Sequence, residues 1–272
     1  MTHESTFSTA LLAVACDASK PQAIALAEVL AHRLHVPLSS PDTHNYPLLL
    51  IVTDTRIEVR QTDSTSGPVY CEFISGPFGY RKASSLRHEL LARAIGFKDV
   101  PLNVIDATAG LGRDAMVLAL LGCRVTAIEF HPIVFELLED GLRRVRLDPD
   151  MARRIEGRLH LVSGDAVDRL AALPRDTPPD AVYLDPMFPA RTNSSLSKKE
   201  MVLLRRLLGE STDADALRLL GAALATGCRR VVMKRPKHAP QLTIPGSPPP
   251  SLHLEGRAAR FDVYFPAGAV QE

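Results

Sequence analysis

No apolar run in this chain of 272 residues approaches the roughly 20 needed to cross a bilayer as a helix, which excludes a helical membrane span. Cysteine is scarce and scattered, at Cys16, Cys71, Cys123 and Cys228. That spacing excludes a zinc knuckle, a redox CxxC pair and a disulfide framework, and leaves buried thiols as small hydrophobes. The nine histidines are dispersed too, and the close pair His32 and His35 lacks the further ligands of a metal site. No metal is expected. Net charge is only +1, which excludes a wholly basic nucleic-acid coat but leaves room for a local basic face. The opening MTHESTFSTALLAVACDASK has no basic stretch ahead of its short apolar segment, so a cytoplasmic protein is expected rather than a secreted one.

What remains is an ordinary globule, 46% hydrophobic and 23% charged, of a length that suits one large domain or one domain with a small appendage. Pro21 to His35 has helical apolar spacing, and YPLLLIVTD, RIEVRQT and PVYCEFIS read as three short strands. These make residues 1–84 a small N-terminal α+β subdomain. After the connector GPFGYRKASS and a helix over SLRHELLARAIGF, strands and helices alternate across 85–272. LNVIDAT, CRVTAIEF, RLHLVSGD, DAVYLDP and RRVVMKRP are strands with helices between them. ARFDVYFP adds a closing strand, and PQLTIPGSPPPSLH is too rich in proline for regular structure. The alternation predicts an α/β, Rossmann-like fold with a mostly parallel sheet.

Three signals point to chemistry. In IDATAGLGRDA a strand ends at Asp106 and runs through Gly110 and Gly112 into a helix, an arrangement that lets a ligand approach backbone and helix N-terminus. Glu129 ends the next strand, 19 residues after Gly110, where a carboxylate can accept both hydroxyls of a ribose. Asp165, after the third strand, serves equally well as an adenine contact or a helix N-cap. Nicotinamide and S-adenosylmethionine enzymes fit these alike. YLDPMFP, at the carboxyl end of the fourth strand, discriminates between them.

An acid, a proline and an aromatic there resemble the (D/N)PP(Y/F) motif of amino-group methyltransferases. An exocyclic amine is a poor nucleophile because its lone pair is delocalised into the ring. Accepting its N–H bonds at Asp185 favours a more nucleophilic nitrogen, Pro186 keeps the backbone rigid, and Phe188 can stack on the base at about 1–3 kcal/mol.

Taken together, DATAGLGRDA, GCRV, LLEDGL, YLDPMFP, KKEM, VVMKRP and RFDVY resemble, in order, the ribosomal RNA small subunit methyltransferase J family. The resemblance implies a class I S-adenosylmethionine-dependent enzyme with a seven-stranded sheet that methylates N2 of one guanosine in 16S rRNA, free or in the 30S particle. It implies no membrane and no obligatory protein partner. It carries donor contacts to Arg113 and Asp114, Glu129 and Phe130, Asp165 and Ala166, and Asp185. Relatives have small hydroxyl residues at the Asp165 and Ala166 positions. An RNA substrate calls for basic contacts, and the candidates are Arg81, Lys82, Lys198, Lys199, Lys234 and Arg235, with Arg205, Arg206 and Lys237 beside them. Arg143, Arg144 and Arg146 read as a solvated helix face. DPMF does not separate guanine from adenine, and a methyltransferase of another nucleic-acid base, or a non-catalytic RNA-binding assembly factor, stays open on the residues alone.

Overall fold

Runs of apolar residues in short strands produce two sheets in the computed structural model, which describes residues 11–75, 89–186, 198–209, 212–257 and 259–266. The smaller sheet has the order β2-β1-β3-β4 and is built from β1 (Leu12–Asp17), β2 (Leu38–Ser39), β3 (Leu48–Thr53) and β4 (Ile57–Gln61). Helix α1 (Pro21–Leu34) connects β1 to β2 and buries Ala23, Ala27, Leu30 and Ala31. β3 is buried along nearly its whole length, as a central strand covered on both faces must be.

Two sequence expectations change here. The apolar stretch near the N-terminus is a strand, β1, paired in parallel with both β2 and β3. PVYCEFIS keeps only one bridge, Val59 to Val69, instead of forming a strand. Its alternation is nonetheless real, because Val69, Cys71 and Phe73 are all buried. Cys71 and Phe73 turn away from the small sheet to pack on the larger body. There Cys71 Sγ lies 3.5 Å from the Leu111 carbonyl, and both side chains fill the space over Gly141. A period of two marks a half-buried extended segment, and the partner it finds need not be a strand.

After the short helix α2 (Leu90–Ala94) the large sheet begins. In chain order it contains β5 (Asn103–Asp106), helix α3 (Arg113–Leu120), β6 (Arg124–Glu129), α4 (Pro132–Leu147), α5 (Pro149–Ile155), β7 (Leu159–Ser163), α6 (Ala166–Ala171) and β8 (Ala181–Leu184). α7 (Lys198–Leu208), α8 (Asp213–Leu224), β9 (Arg230–Pro236), β10 (Leu252–Glu255) and β11 (Ala259–Tyr264) complete it. Its seven strands have the order β10-β11-β9-β8-β5-β6-β7, and β11 alone runs antiparallel to its neighbours. β10 falls in and after the proline-rich stretch expected to be irregular. Among the described residues it is an edge strand bonded to β11 alone, with Leu252 39% exposed, so it needs little apolar pattern.

The chain moves outward from β5 through β6 to β7, then jumps back to lay β8 on the other side of β5. That reversal opens a crevice at the carboxyl ends of β5 and β8, where open α/β sheets take ligands.

One apolar cluster runs from Leu12 and Leu50 of the small sheet through Leu137 and Leu138 of α4 to Tyr183 and Val232 of the large sheet. Arg33 of α1 adds a 2.6 Å ion pair to Glu136 of α4. Arg143 and Arg146 are about half exposed, as a solvated face requires, but Arg144 is 14% exposed. It bonds Asp140 and the Cys71 carbonyl and pairs with Glu72, so it fastens the 71–73 segment to α4. No helix among the described residues is long and apolar enough to cross a membrane.

Candidate active site

β5 ends in Asp106, whose buried carboxylate accepts the Thr108 N–H at 3.1 Å. The chain then turns through Gly110 and Gly112, both in the left-handed region with φ of 53° and 73°, before α3 begins at Arg113. The two glycines have different reasons. A Cβ on Gly110 would meet nothing nearer than the Thr108 carbonyl at 3.9 Å, so this backbone stays open to the crevice. A Cβ on Gly112 would lie 2.4 Å from Leu138 and 3.2 Å from Phe73. At Gly112 the packing of the loop on α4 by itself requires glycine.

Glu129 ends β6 directly beside this loop. Its Oε2 accepts the Gly110 N–H at 2.9 Å and its Oε1 the His131 N–H at 2.8 Å. Burial pushes its carboxyl up to about 7 against these bonds. His131 is buried as well, and that holds its imidazole down to about 4 and so neutral. Phe130, between them, is 50% exposed and presents a bare aromatic surface next to the glycine loop.

Across the crevice stands Asp185, following β8, with its backbone N–H donated to Thr108 Oγ1 at 2.6 Å. Its Oδ2 accepts from Lys234 at 2.8 Å, and the same ammonium donates to Asp114 Oδ2 at 2.9 Å. The Tyr183 hydroxyl donates to that Asp114 oxygen too. Burial would raise Asp114, but Lys234 and Tyr183 outweigh it and hold the carboxyl below its usual range. Burial and the neighbouring Asp114 leave Asp185 above that range despite Lys234. Asp106, deeper still, is pushed up to about 8 by burial and by the Asp114 charge. Asp114 and Asp185 thus share one ammonium, with the protonated Asp106 carboxyl deeper behind them.

Arg113 turns to α7 and pairs with the buried Glu200 at 2.6 Å. Asp165 is the N-cap of α6, accepting from the Val167 N–H at 2.7 Å, while its other oxygen pairs with Arg218 at 3.2 Å. Ala166 opens that helix, and Pro186 is buried behind Asp185.

The basic candidates separate. Neighbours on β9 face opposite sides. Lys234 points to the carboxylates, and Arg235 is 3% exposed, bonded to Asp213 and the Pro240 carbonyl. Arg235 is a structural arginine, which corrects its reading as an RNA contact. Arg235→Ala is expected to cost about 2 kcal/mol of stability, since bonds to charged groups contribute roughly that much, and to leave RNA affinity unchanged; denaturant melts and filter binding check it. Lys199 donates to the Pro68 carbonyl at 2.7 Å, and Arg206 pairs with Asp63. Arg81, Lys82 and Phe188 lie outside the described residues, as does the side chain of Lys198. No cluster of three potential metal ligands occurs among the described residues.

Sequence reasoning missed Thr108, Tyr183, Glu200 and the bridging part of Lys234. Thr108 sits inside the DATAG motif and Lys234 at strand spacing in VVMKRP, but only the tertiary fold tells which carboxylate each meets.

With this geometry, the comparisons with known proteins are specific. The family model described as "Putative SAM-dependent methyltransferase" matches residues 30–266. A SAM-dependent methyltransferase of Neisseria gonorrhoeae is 33% identical and superposes with a TM-score of 0.70, over 95% of this chain and 97% of that one. The protein is a class I, Rossmann-like SAM-dependent methyltransferase. Ribosomal RNA small subunit methyltransferase J of Thioalkalivibrio sulfidiphilus is 47% identical over 88% of this chain and 92% of its own length. The protein of that name from Aeromonas salmonicida is 44% identical over 91% and 95%. The chain belongs to the ribosomal RNA small subunit methyltransferase J family.

Proposed function

We propose that this protein transfers a methyl group from S-adenosylmethionine to the exocyclic N2 amine of a guanosine in 16S rRNA, in the cytoplasm. The observation that carries the acceptor side is Asp185 at the switch point. Lys234 occupies its Oδ2, and among the described residues nothing bonds its Oδ1, which is left for the N–H of an amine. The relatives' shared name, with its small-subunit rRNA, supports the substrate class.

The residues present fit the donor. Gly110 leaves room for a close approach, Glu129 offers carboxylate lone pairs for ribose hydroxyls, and Phe130 offers a surface for adenine. Asp114, held ionised, gives the cation-favouring field a sulfonium needs, with Asp185 beside it. Arg113, shared with Glu200, is assigned to the donor's carboxylate, and Asp165 and Ala166 to the adenine edge. The donor supplies an electrophilic methyl carbon. Asp185 accepts the amine N–H, restricts the lone pair to the line of displacement and takes charge as the nitrogen becomes cationic. Phe188 stacks on the guanine, and Pro186 fixes the turn. Arg81, Lys82, Lys198 and Lys199 are assigned to the RNA backbone. Residues 1–84 are read as a subdomain that positions the RNA, and 85–272 as the methyltransferase domain.

Glu129 supplies a pH signature. Its carboxyl stands raised to about 7, and ribose hydroxyls bond the ionised form, so donor affinity rises with pH between 6 and 8. Glu129→Gln is expected to remove that rise and to weaken donor binding about tenfold at pH 8, the loss of roughly one charge-assisted bond, read by calorimetry. The function is tested by transfer from labelled donor to 30S particles and to free 16S rRNA from cells lacking the enzyme. Label in N2-methylguanosine at one position supports the reading. Label in a methylated adenosine keeps the fold and replaces the acceptor, and donor binding without any transfer favours a non-catalytic assembly factor.

A further inference from the structure

Lys234 comes from β9, one strand beyond β8, and its side chain is only 17% exposed. A lysine that holds a phosphate in solution keeps its ammonium in solvent; this one is withdrawn between two carboxylates. Asp114, on α3, belongs to the donor half of the crevice, and Asp185, after β8, to the acceptor half. The ammonium spans both at 2.9 and 2.8 Å. The charged and titratable groups facing it are Asp106 from β5, Asp114 from α3, and Tyr183 and Asp185 from the β8 end, with Arg113 flanking Asp114.

We propose that Lys234 is a positioning residue for methyl transfer: it grips Asp185 Oδ2 so that Oδ1 faces the acceptor amine, and it supplies the counter-charge that ties the acceptor half of the crevice to Asp114 in the donor half. The inference rests on Asp185 being the acceptor-side residue. In the step it serves, the amine nitrogen forms its bond to the methyl carbon as the carbon–sulfur bond breaks, and sulfur keeps the electron pair. The nitrogen, now cationic, releases one proton to Asp185 Oδ1, which passes it to water. Lys234 keeps its own proton throughout, because the two carboxylates raise its affinity for it more than burial lowers it.

Burial and the Asp114 charge both disfavour an ionised Asp185, and the influences that oppose them all come from Lys234. Without the ammonium, Asp114 keeps only the flanking Arg113 and Asp185 loses every influence that favours its ionised form, so Asp185 takes up a proton.

The test is Lys234→Met beside Lys234→Arg. With Lys234→Met, kcat is expected to fall about 100-fold at pH 7 and to recover in part toward pH 9, while the KM for RNA stays within about threefold. Lys234→Arg, which keeps the charge, restores part of the rate. In donor-free protein, the melting temperature of Lys234→Met is expected to fall further below wild type as pH rises from 5 to 8. Asp185 then has a folded pKa still further above its unfolded one, and stability present at low pH is lost as it ionises.

A raised KM for RNA with a shallower salt dependence and an unchanged pH profile would make Lys234 a phosphate contact and overturn the proposal. An equal loss of stability at every pH, with activity lost in proportion, would overturn it as well. If wild-type protein methylates no guanosine, it is the functional reading that fails, and the melting comparison still reports whether Lys234 holds the two carboxylates.

Discussion

Asp185→Ala is expected to lower kcat for methyl transfer by about 10²–10³-fold, the range seen when one group aimed at developing charge is removed. The loss falls on the amine acceptor. A methyl side chain at this position cannot take the N–H, so the lone pair stays conjugated with the ring and the released proton has no receiver. The fold should survive, because the backbone N–H that reaches Thr108 Oγ1 is kept and Lys234 retains Asp114 as its partner. Losing Asp185 also removes its repulsion with the Asp114 carboxylate. Donor affinity falls by tenfold or less, about the worth of a single charge-assisted contact. Single-turnover transfer, with donor binding by calorimetry in parallel, separates the two effects. Full activity in Asp185→Ala would remove Asp185 from the chemistry.

Gly112→Ala carries the largest expected effect on stability. At φ 73° the backbone is in a region that costs an L-residue roughly 1–2 kcal/mol. The new Cβ, 2.4 Å from Leu138 Cδ1, also forces α4 or the loop to shift, at about 1–3 kcal/mol for an overfilled core. The sum, about 2–5 kcal/mol, corresponds to a fall in melting temperature of roughly 4–20 °C for a chain of this size. Gly110→Ala is the control. It has the same sign of φ, at 53°, but no neighbour inside 3.9 Å, so it should cost only the backbone strain while obstructing the donor. If both variants melt alike, the packing role assigned to Gly112 is wrong.

Much of this fold is readable in the sequence, because its central strands are short, apolar and separated by amphipathic helices. VID and AVYL are buried, and each brings an acid to the crevice, Asp106 as the last residue of one and Asp185 directly after the other. The glycine loop and Glu129 could be placed for the same reason, since a strand end and a helix start define where they stand. What escaped the sequence depends on partners. Alternation places Lys234 and Arg235 on opposite faces but does not say that one meets Asp114 and Asp185 while the other meets Asp213. Cys71 and Phe73 have strand periodicity yet pack on α4, and LHLE pairs with β11 at an edge that asks little of its side chains. On the residues alone Asp165 is open between cap and ligand contact; it does cap α6, and its Oδ2 is paired with Arg218.

The central claim is that Asp185, at the β5–β8 switch, directs a methyl group to the N2 amine of a 16S rRNA guanosine. Its most direct measurement is nucleoside mass spectrometry of 16S rRNA from cells lacking this chain, complemented with wild type or with Asp185→Ala. One N2-methylguanosine absent from the deletion strain, restored by wild type and not by Asp185→Ala, is the predicted result. An N2-methylguanosine content that does not change on deletion, or that Asp185→Ala restores in full, would contradict it.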